Sequence, residues 1–197
     1  MPDDAPVTRV AGAVLVAGAV LVGGASRRMG RSKALIDVDG SPMAIRVATA
    51  LGTAGCTPVR LIGGGMPADI GYPVVNDRWP GEGPLGGVIT ALIDAGGDVV
   101  VAACDLPDLD AATVRAIRDV RGADRVDVVV ATTDRLEPAL ARWNHRALDR
   151  LTASFRAGER ALHVTLRGFD VVEVAVDPQV MRNVNTPRDL GEGRGSR

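Results

Sequence analysis

Residues 16–33 read VAGAVLVGGASRRMGRSK, and the fold turns on how this stretch is read. Val16–Val22 carries no charge and is rich in valine, which suits a strand buried on both faces. It runs straight into a loop with Gly23, Gly24 and Gly30. Arg27, Arg28, Arg31 and Lys33 place four cations in that loop, and no carboxylate occurs between Asp4 and Asp37. Glycines let backbone N–H groups close on an anion, and uncompensated cations favour a polyphosphate there. The dinucleotide pattern GxGxxG is absent, and so is GxxxxGK[ST].

Upstream, the apolar run continues, and AGAVLV occurs in tandem at 11–16 and 17–22. A membrane-spanning helix needs about 20 apolar residues. This run is shorter, is heavy in Gly and Ala, and follows Asp3 and Asp4 instead of a basic leader. The second copy therefore reads as the first strand, and residues 1–10 as a flexible lead-in.

Downstream, short apolar runs alternate with helical patterns. Strands are expected at 58–63, 72–75, 98–104, 126–132 and 170–176, with 140–143 pairing nearby. Helices are expected at 41–55, 84–96, 110–120, 145–158 and 159–166, and a final turn at 186–190. Ser41 is placed to cap the first helix, with Pro42 at its first position. Alternation of this kind builds one α/β domain with a mostly parallel sheet covered on both sides. It extends over 11–190, with 191–197 as a flexible tail. Ligands of such sheets sit at the carboxyl ends of the strands, which points to loops 23–33, 76–86 and 104–109.

Composition narrows the function. The 197 residues hold 23 Lys+Arg against 24 Asp+Glu, a net charge of −1, so there is no basic footprint for nucleic acid. Five aromatics, Tyr72, Trp79, Trp143, Phe155 and Phe169, leave little for base stacking. Two distant cysteines, Cys56 and Cys104, suit a reducing, cytoplasmic setting. With His145 and His163 not at ligand spacing, no zinc motif forms. Cys104 reads as a small buried strand residue.

Four motifs point further. L-x-G-G-x-S-x-R-M-G-x-x-K spans 21–33. Asn76-Asp77 precedes PGEGPLGG at 80–87. CDLP at 104–107 ends the central strand, and NVNTPRDL occupies 183–190. Together they resemble the signature of the nucleotidyltransferase family that includes molybdenum cofactor guanylyltransferase, across nearly the whole chain. The resemblance implies a single three-layer Rossmann-like domain of the nucleotide-diphospho-sugar transferase type. It implies transfer of GMP from GTP to molybdopterin, with Mg2+ as cofactor. Transient contact with cofactor-synthesis proteins and recipient molybdoenzymes follows, with no nucleic acid and no membrane involved.

On this resemblance Leu21, Val22, Gly23, Gly24, Lys33, Gly63, Asp77 and Asp105 bind the nucleotide. Arg28, Lys33 and Asp105 are catalytic, and Asn183 and Asn185 lie on the pterin side. The residues themselves agree in part. Asp105 ends a buried strand, and Mg2+ takes one or two carboxylates alongside phosphate oxygens. Asp is also a favoured helix cap. Asp77 suits the turn before Trp79-Pro80 on its own account, as two asparagines suit a tight turn at 183–185.

The chain departs from the family in three places, the least of them Val22 for the usual Ala. Gly63-Gly64-Gly65 stands where an Asn often contacts the nucleotide. Glu137-Pro138 stands for His-Pro, and an acid there would repel a phosphorylated acceptor unless it points away. CMP transfer, another phosphorylated acceptor, and a non-catalytic adaptor in cofactor delivery remain as alternatives.

Overall fold

The computed structural model describes residues 15–23 and 32–184. The apolar stretch forms strand β1 (Ala17–Leu21), every residue of it buried. A 3-10 turn at Lys33–Leu35 follows, then a hairpin of β2 (Asp37–Val38) and β3 (Ser41–Pro42). Next come α1 (Met43–Thr53), β4 (Val59–Ile62), β5 (Val74–Val75), α2 (Pro84–Ala95) and β6 (Val99–Ala103). The chain continues through α3 (Ala111–Arg118), β7 (Val128–Thr132), β8 (Leu136–Trp143), α4 (Leu148–Arg156), α5 (Leu162–Thr165) and β9 (Val171–Ala175).

Seven strands form one sheet in the order β5-β4-β1-β6-β8-β7-β9. All neighbours pair parallel except β8, which runs antiparallel to both β6 and β7. Two cores cover the two faces. On one, Val47 and Leu51 of α1 and Val114 and Ile117 of α3 meet Val20, Leu61, Val100 and Val129. On the other, Leu85, Ile89 and Leu92 of α2 and Leu151 and Phe155 of α4 meet Ala19, Ile62, Val101 and Trp143. Successive residues of β1 thus serve opposite cores, which is why its apolar run is unbroken. The three-layer α/β architecture is the one expected.

Several local expectations change. Ser41 does not cap α1. Pro42, extended at ψ 140°, is the cap residue, and no side chain bonds to the helix start. The reason lies upstream. Asp39 and Gly40 both take positive φ, at 53° and 83°, and this tight turn folds Ser41-Pro42 back as a strand. The Met43 N–H then finds its acceptor in Ile36 O at 2.9 Å.

The 140–143 strand extends back to Leu136. Its pairing with β7 jumps from Val130–Ala141 to Ala131–Glu137. Pro138 lies inside that irregularity, where its missing N–H breaks no ladder bond. The helix expected over 159–166 shrinks to α5, with a 3-10 turn at Leu166–Gly168 after it. The terminal turn at 186–190, the lead-in 1–10 and the tail 191–197 lie outside the described residues. Among the described residues no helix is long and apolar enough to cross a membrane.

Candidate active site

The ladders of the parallel strands continue one step past their ends. Cys104 N–H donates to Leu21 O at 3.2 Å, Val22 N–H to Ile62 O at 2.9 Å, and Gly63 N–H to Val75 O at 2.9 Å. The carboxyl ends of β6, β1, β4 and β5 therefore form one continuous rim, and most of the expected site residues stand on it.

Leu21 and Val22 are buried in the rim, and Gly23 is exposed above it. Gly63 presses against this point with φ +145°. A Cβ there would lie 2.7 Å from Gly23 N and 2.9 Å from Val22 Cγ2. Glycine is thus required at 63 both by backbone conformation and by the close approach of two strand ends. Behind the rim, a Cβ at Gly87 would come within 3.0 Å of Leu21 Cδ2. The small residues at the start of α2 let that helix lie flat against β1.

Lys33 leads the 3-10 turn, and Asp105 is the second residue past β6. Lys33 Nζ donates to Asp105 Oδ2 at 2.6 Å, with the side chains only 15% and 24% exposed. Two residues 72 apart in sequence thus form a partly desolvated ion pair at the β6 end of the rim.

The loop carrying Asp105 is held from several sides. Arg46 of α1 donates through Nε to Pro107 O at 3.0 Å. Arg182 donates through Nε and Nη2 to Asp108 Oδ2 at 3.1 and 2.8 Å. Val184 N–H reaches Asp105 O at 3.0 Å, while the Val184 side chain is buried with Val38 and Met43. Asn183, exposed, is thereby brought beside the Asp105 loop. Asp105 caps no helix. The cap of α3 is Asp110, which accepts from Thr113 N–H.

Asp77 sits past β5. Its Oδ1 accepts from Trp79 N–H at 3.1 Å and lies 3.1 Å from the Thr90 hydroxyl. Thr90 in turn accepts from Arg78 N–H. The carboxylate therefore does hold the turn at 77–79 and ties it to α2. Its Oδ2 has no partner among the described residues.

Cys104 is buried, and burial pushes its thiol up to about 12. The neighbouring Asp105 carboxylate adds to the shift and Lys33 opposes it. It is a protonated packing residue, as expected from the sequence.

Glu137 points away from solvent. Its side chain is 13% exposed, and Oε1 accepts from Thr133 Oγ1 at 3.0 Å and Arg135 Nε at 3.2 Å. Gly24, Arg28 and Asn185 lie outside the described residues, as do Arg27 and Arg31. Arg46, Asp108, Thr90 and Arg182 were not singled out from the sequence. Their roles arise from contacts across long sequence separations that no local pattern announces.

A glycine-lined strand end, a lysine and a carboxylate at one rim can together hold a polyphosphate and a divalent cation. A family model for the MobA-like NTP transferase domain matches residues 18–170. The chain belongs to this family. It is 31% identical over 189 residues to a molybdenum cofactor guanylyltransferase of Rhodobacter capsulatus, covering 92% of this chain and 93% of the relative. It is 37% identical over 171 residues to a probable molybdenum cofactor guanylyltransferase of Opitutus terrae, covering 80% and 78%. Among solved structures it is similar to molybdopterin-guanine dinucleotide biosynthesis protein A from Archaeoglobus fulgidus. The TM-score is 0.70 at 26% identity, over 90% of this chain and 96% of that one. The family resemblance read from the four motifs is borne out, and the chain is a nucleotidyltransferase.

Proposed function

We propose that this nucleotidyltransferase moves GMP from GTP to the phosphate of molybdopterin, forming a guanine dinucleotide and releasing pyrophosphate. The observation that carries the reading is the Lys33–Asp105 pair at the glycine-lined end of β1. An acceptor phosphate oxygen attacks the α-phosphorus of GTP. The bond to the β-phosphate breaks, and pyrophosphate leaves with the electron pair. Catalysis of such a step is mainly positioning and charge neutralisation.

The residues fit Mg2+. Among the described residues no group of three or more His, Cys, Asp or Glu converges. Mg2+ needs no such cage, because it is held by one or two carboxylates together with substrate phosphates and water. Asp105 would hold it, and when bound it neutralises charge on the phosphate oxygens. Lys33 and Arg28 bind the triphosphate, and Lys33 stabilises the charge that builds on pyrophosphate. Leu21, Val22, Gly23, Gly24 and Gly63 offer backbone groups to the nucleotide, which Asp77 also contacts. Asn183 and Asn185 are assigned to the pterin side. Two free, buried thiols are consistent with a cytoplasmic enzyme. Delivery of the product calls for transient contact with cofactor-synthesis proteins and recipient molybdoenzymes.

The test is pyrophosphate release by the purified chain with Mg2+, molybdopterin and each nucleoside triphosphate in turn. GTP-selective turnover is expected. Turnover with CTP alone would replace guanylyl by cytidylyl transfer, and none with any triphosphate would favour an adaptor. Asp105→Ala should abolish metal-dependent turnover with an unchanged circular dichroism spectrum. Lys33→Ala should weaken GTP binding at least tenfold by calorimetry.

A further inference from the structure

Transfer to a phosphate needs a cation for the acceptor as well as for the triphosphate. Asp105 divides this end of the sheet in two. The glycine end of β1, Gly63 and Asp77 lie towards β5, on the nucleotide side. In the other direction come β8 and β7. Because β8 runs antiparallel to β6, the turn joining β7 to β8 stands at the same end of the sheet as Asp105.

That turn is tightly built. Thr133 N–H donates to Arg135 O at 3.0 Å, and Thr132 Oγ1 donates to the same oxygen at 3.1 Å. Arg135 and Glu137 form an ion pair of unequal exposure, the arginine side chain 73% exposed and the glutamate 13%. Glu137 Oε1 is engaged by Nε of Arg135 and by the Thr133 hydroxyl. Asp134, at the tip, lies 3.0 Å from that same hydroxyl. The acid that should repel a phosphorylated acceptor is thus withdrawn and neutralised. The guanidinium is held by its Nε edge, which leaves the Nη1 and Nη2 edge open for a second partner. That edge carries N–H donors in the fork geometry that matches phosphate oxygens. An exposed ion pair adds little stability, so the pairing is better explained by what it orients.

We propose that Arg135, backed by Glu137 and Thr133, binds the phosphate of the acceptor and aligns it for attack. The assignment rests on the guanylyl-transfer reading above. Glu137 is a positioning residue in it, acting only through Arg135.

The test uses the full chain with GTP, Mg2+ and molybdopterin. Arg135→Ala should raise the acceptor KM at least tenfold and leave the GTP KM within twofold. Arg135→Lys should recover part of the loss, because it restores charge without the fork. Glu137→Ala should raise the acceptor KM by less than Arg135→Ala does. Direct titration of molybdopterin without GTP should show the same order of dissociation constants. The thermal midpoint of Arg135→Ala should stay within about two degrees of the parent. A parent that turns over normally beside an Arg135→Ala variant with unshifted acceptor KM would overturn this assignment alone. A parent inactive with GTP and molybdopterin would overturn the guanylyl reading and this assignment with it.

Discussion

Replacing Gly63 by alanine tests how the nucleotide rim is built. At φ +145° the residue occupies backbone space that only glycine enters readily, and forcing a side chain there costs about 1–3 kcal/mol. The added Cβ would lie 2.7 Å from Gly23 N and 2.9 Å from Val22 Cγ2. The nitrogen belongs to backbone that cannot swing aside, so relief requires the ends of β1 and β4 to part. Overpacking of this sort costs a further ~1–3 kcal/mol. Gly65→Ala is the control. Its φ of +76° brings conformational strain of about 1–2 kcal/mol, but nothing lies within 4 Å of its Cβ. Urea unfolding followed by tryptophan fluorescence should find Gly63→Ala less stable than Gly65→Ala by about 1–4 kcal/mol. GTP titration should find affinity lost in Gly63→Ala and nearly kept in Gly65→Ala, because only the first displaces the Gly23 backbone. Equal stability losses with equal affinities would refute the claim that contact between the strand ends shapes the site.

Other outcomes follow from buried groups and a helix cap. Arg142, buried on β8, donates to Asp98 Oδ2 at 2.7 Å and to Arg118 O at 2.5 Å. Arg142→Met strands a buried carboxylate and should cost about 3–5 kcal/mol in urea unfolding; a loss below about 1 kcal/mol would contradict that picture. Burial raises Cys56 to about 11 and Cys104 to about 12. At pH 8 both stay protonated, so iodoacetamide labelling should be slow in the native protein and should accelerate as urea opens it. Labelling as fast as a free thiol's would show that the thiols are exposed. Asp110→Ala removes the α3 cap and should cost about 1 kcal/mol. The Thr113 N–H holds the Asp110 carboxyl below its ordinary 3.8 in the folded state. Its contribution is therefore present above that ordinary value and fades as pH falls through the lower, folded one. The stability gap between parent and variant should close on acidification, and a gap that widened would reverse the sign.

How far the sequence could be read depends on whether a signal is local. The runs at β1, β6 and β7 are apolar on both faces, so burial and valine content marked them directly. The pattern over 84–96 puts Ile89, Leu92 and Ile93 on one helical face, and α2 follows, with Ile89 and Leu92 buried and Ile93 half-buried. The first four residues of β8 hid behind Glu137 and Pro138, whose types argue against a strand. The paired irregularity that tolerates them is a tertiary feature. The β2–β3 hairpin did carry a local signal, Asp39-Gly40 between short extended pieces, and the stronger helical pattern beyond masked it. At the site, Lys33 and Asp105 were each legible from their motifs, but their 2.6 Å pairing spans 72 residues. The contacts of Arg46 and Arg182 with the Asp105 loop depend on the completed fold alone.

The rim combines a fixed frame with exchangeable side chains. The backbone from Asp105 to Asp108 is tied by Val184 N–H, by Arg46 at Pro107 and by the Arg182–Asp108 pair. None of these contacts uses the Asp105 carboxylate, whose partner is Lys33. Each member of that pair has a better partner in the proposed substrate complex: a divalent cation for the carboxylate, a triphosphate for the ammonium. Either exchange alone would break the 2.6 Å pair and match only one of its two charges to a new partner. Made together, the two exchanges keep both charges matched and leave the frame unmoved. In the proposed complex such an arrangement would favour entry of metal and nucleotide together, and the lysine would meet the phosphates without reorganising the loop at the moment of transfer.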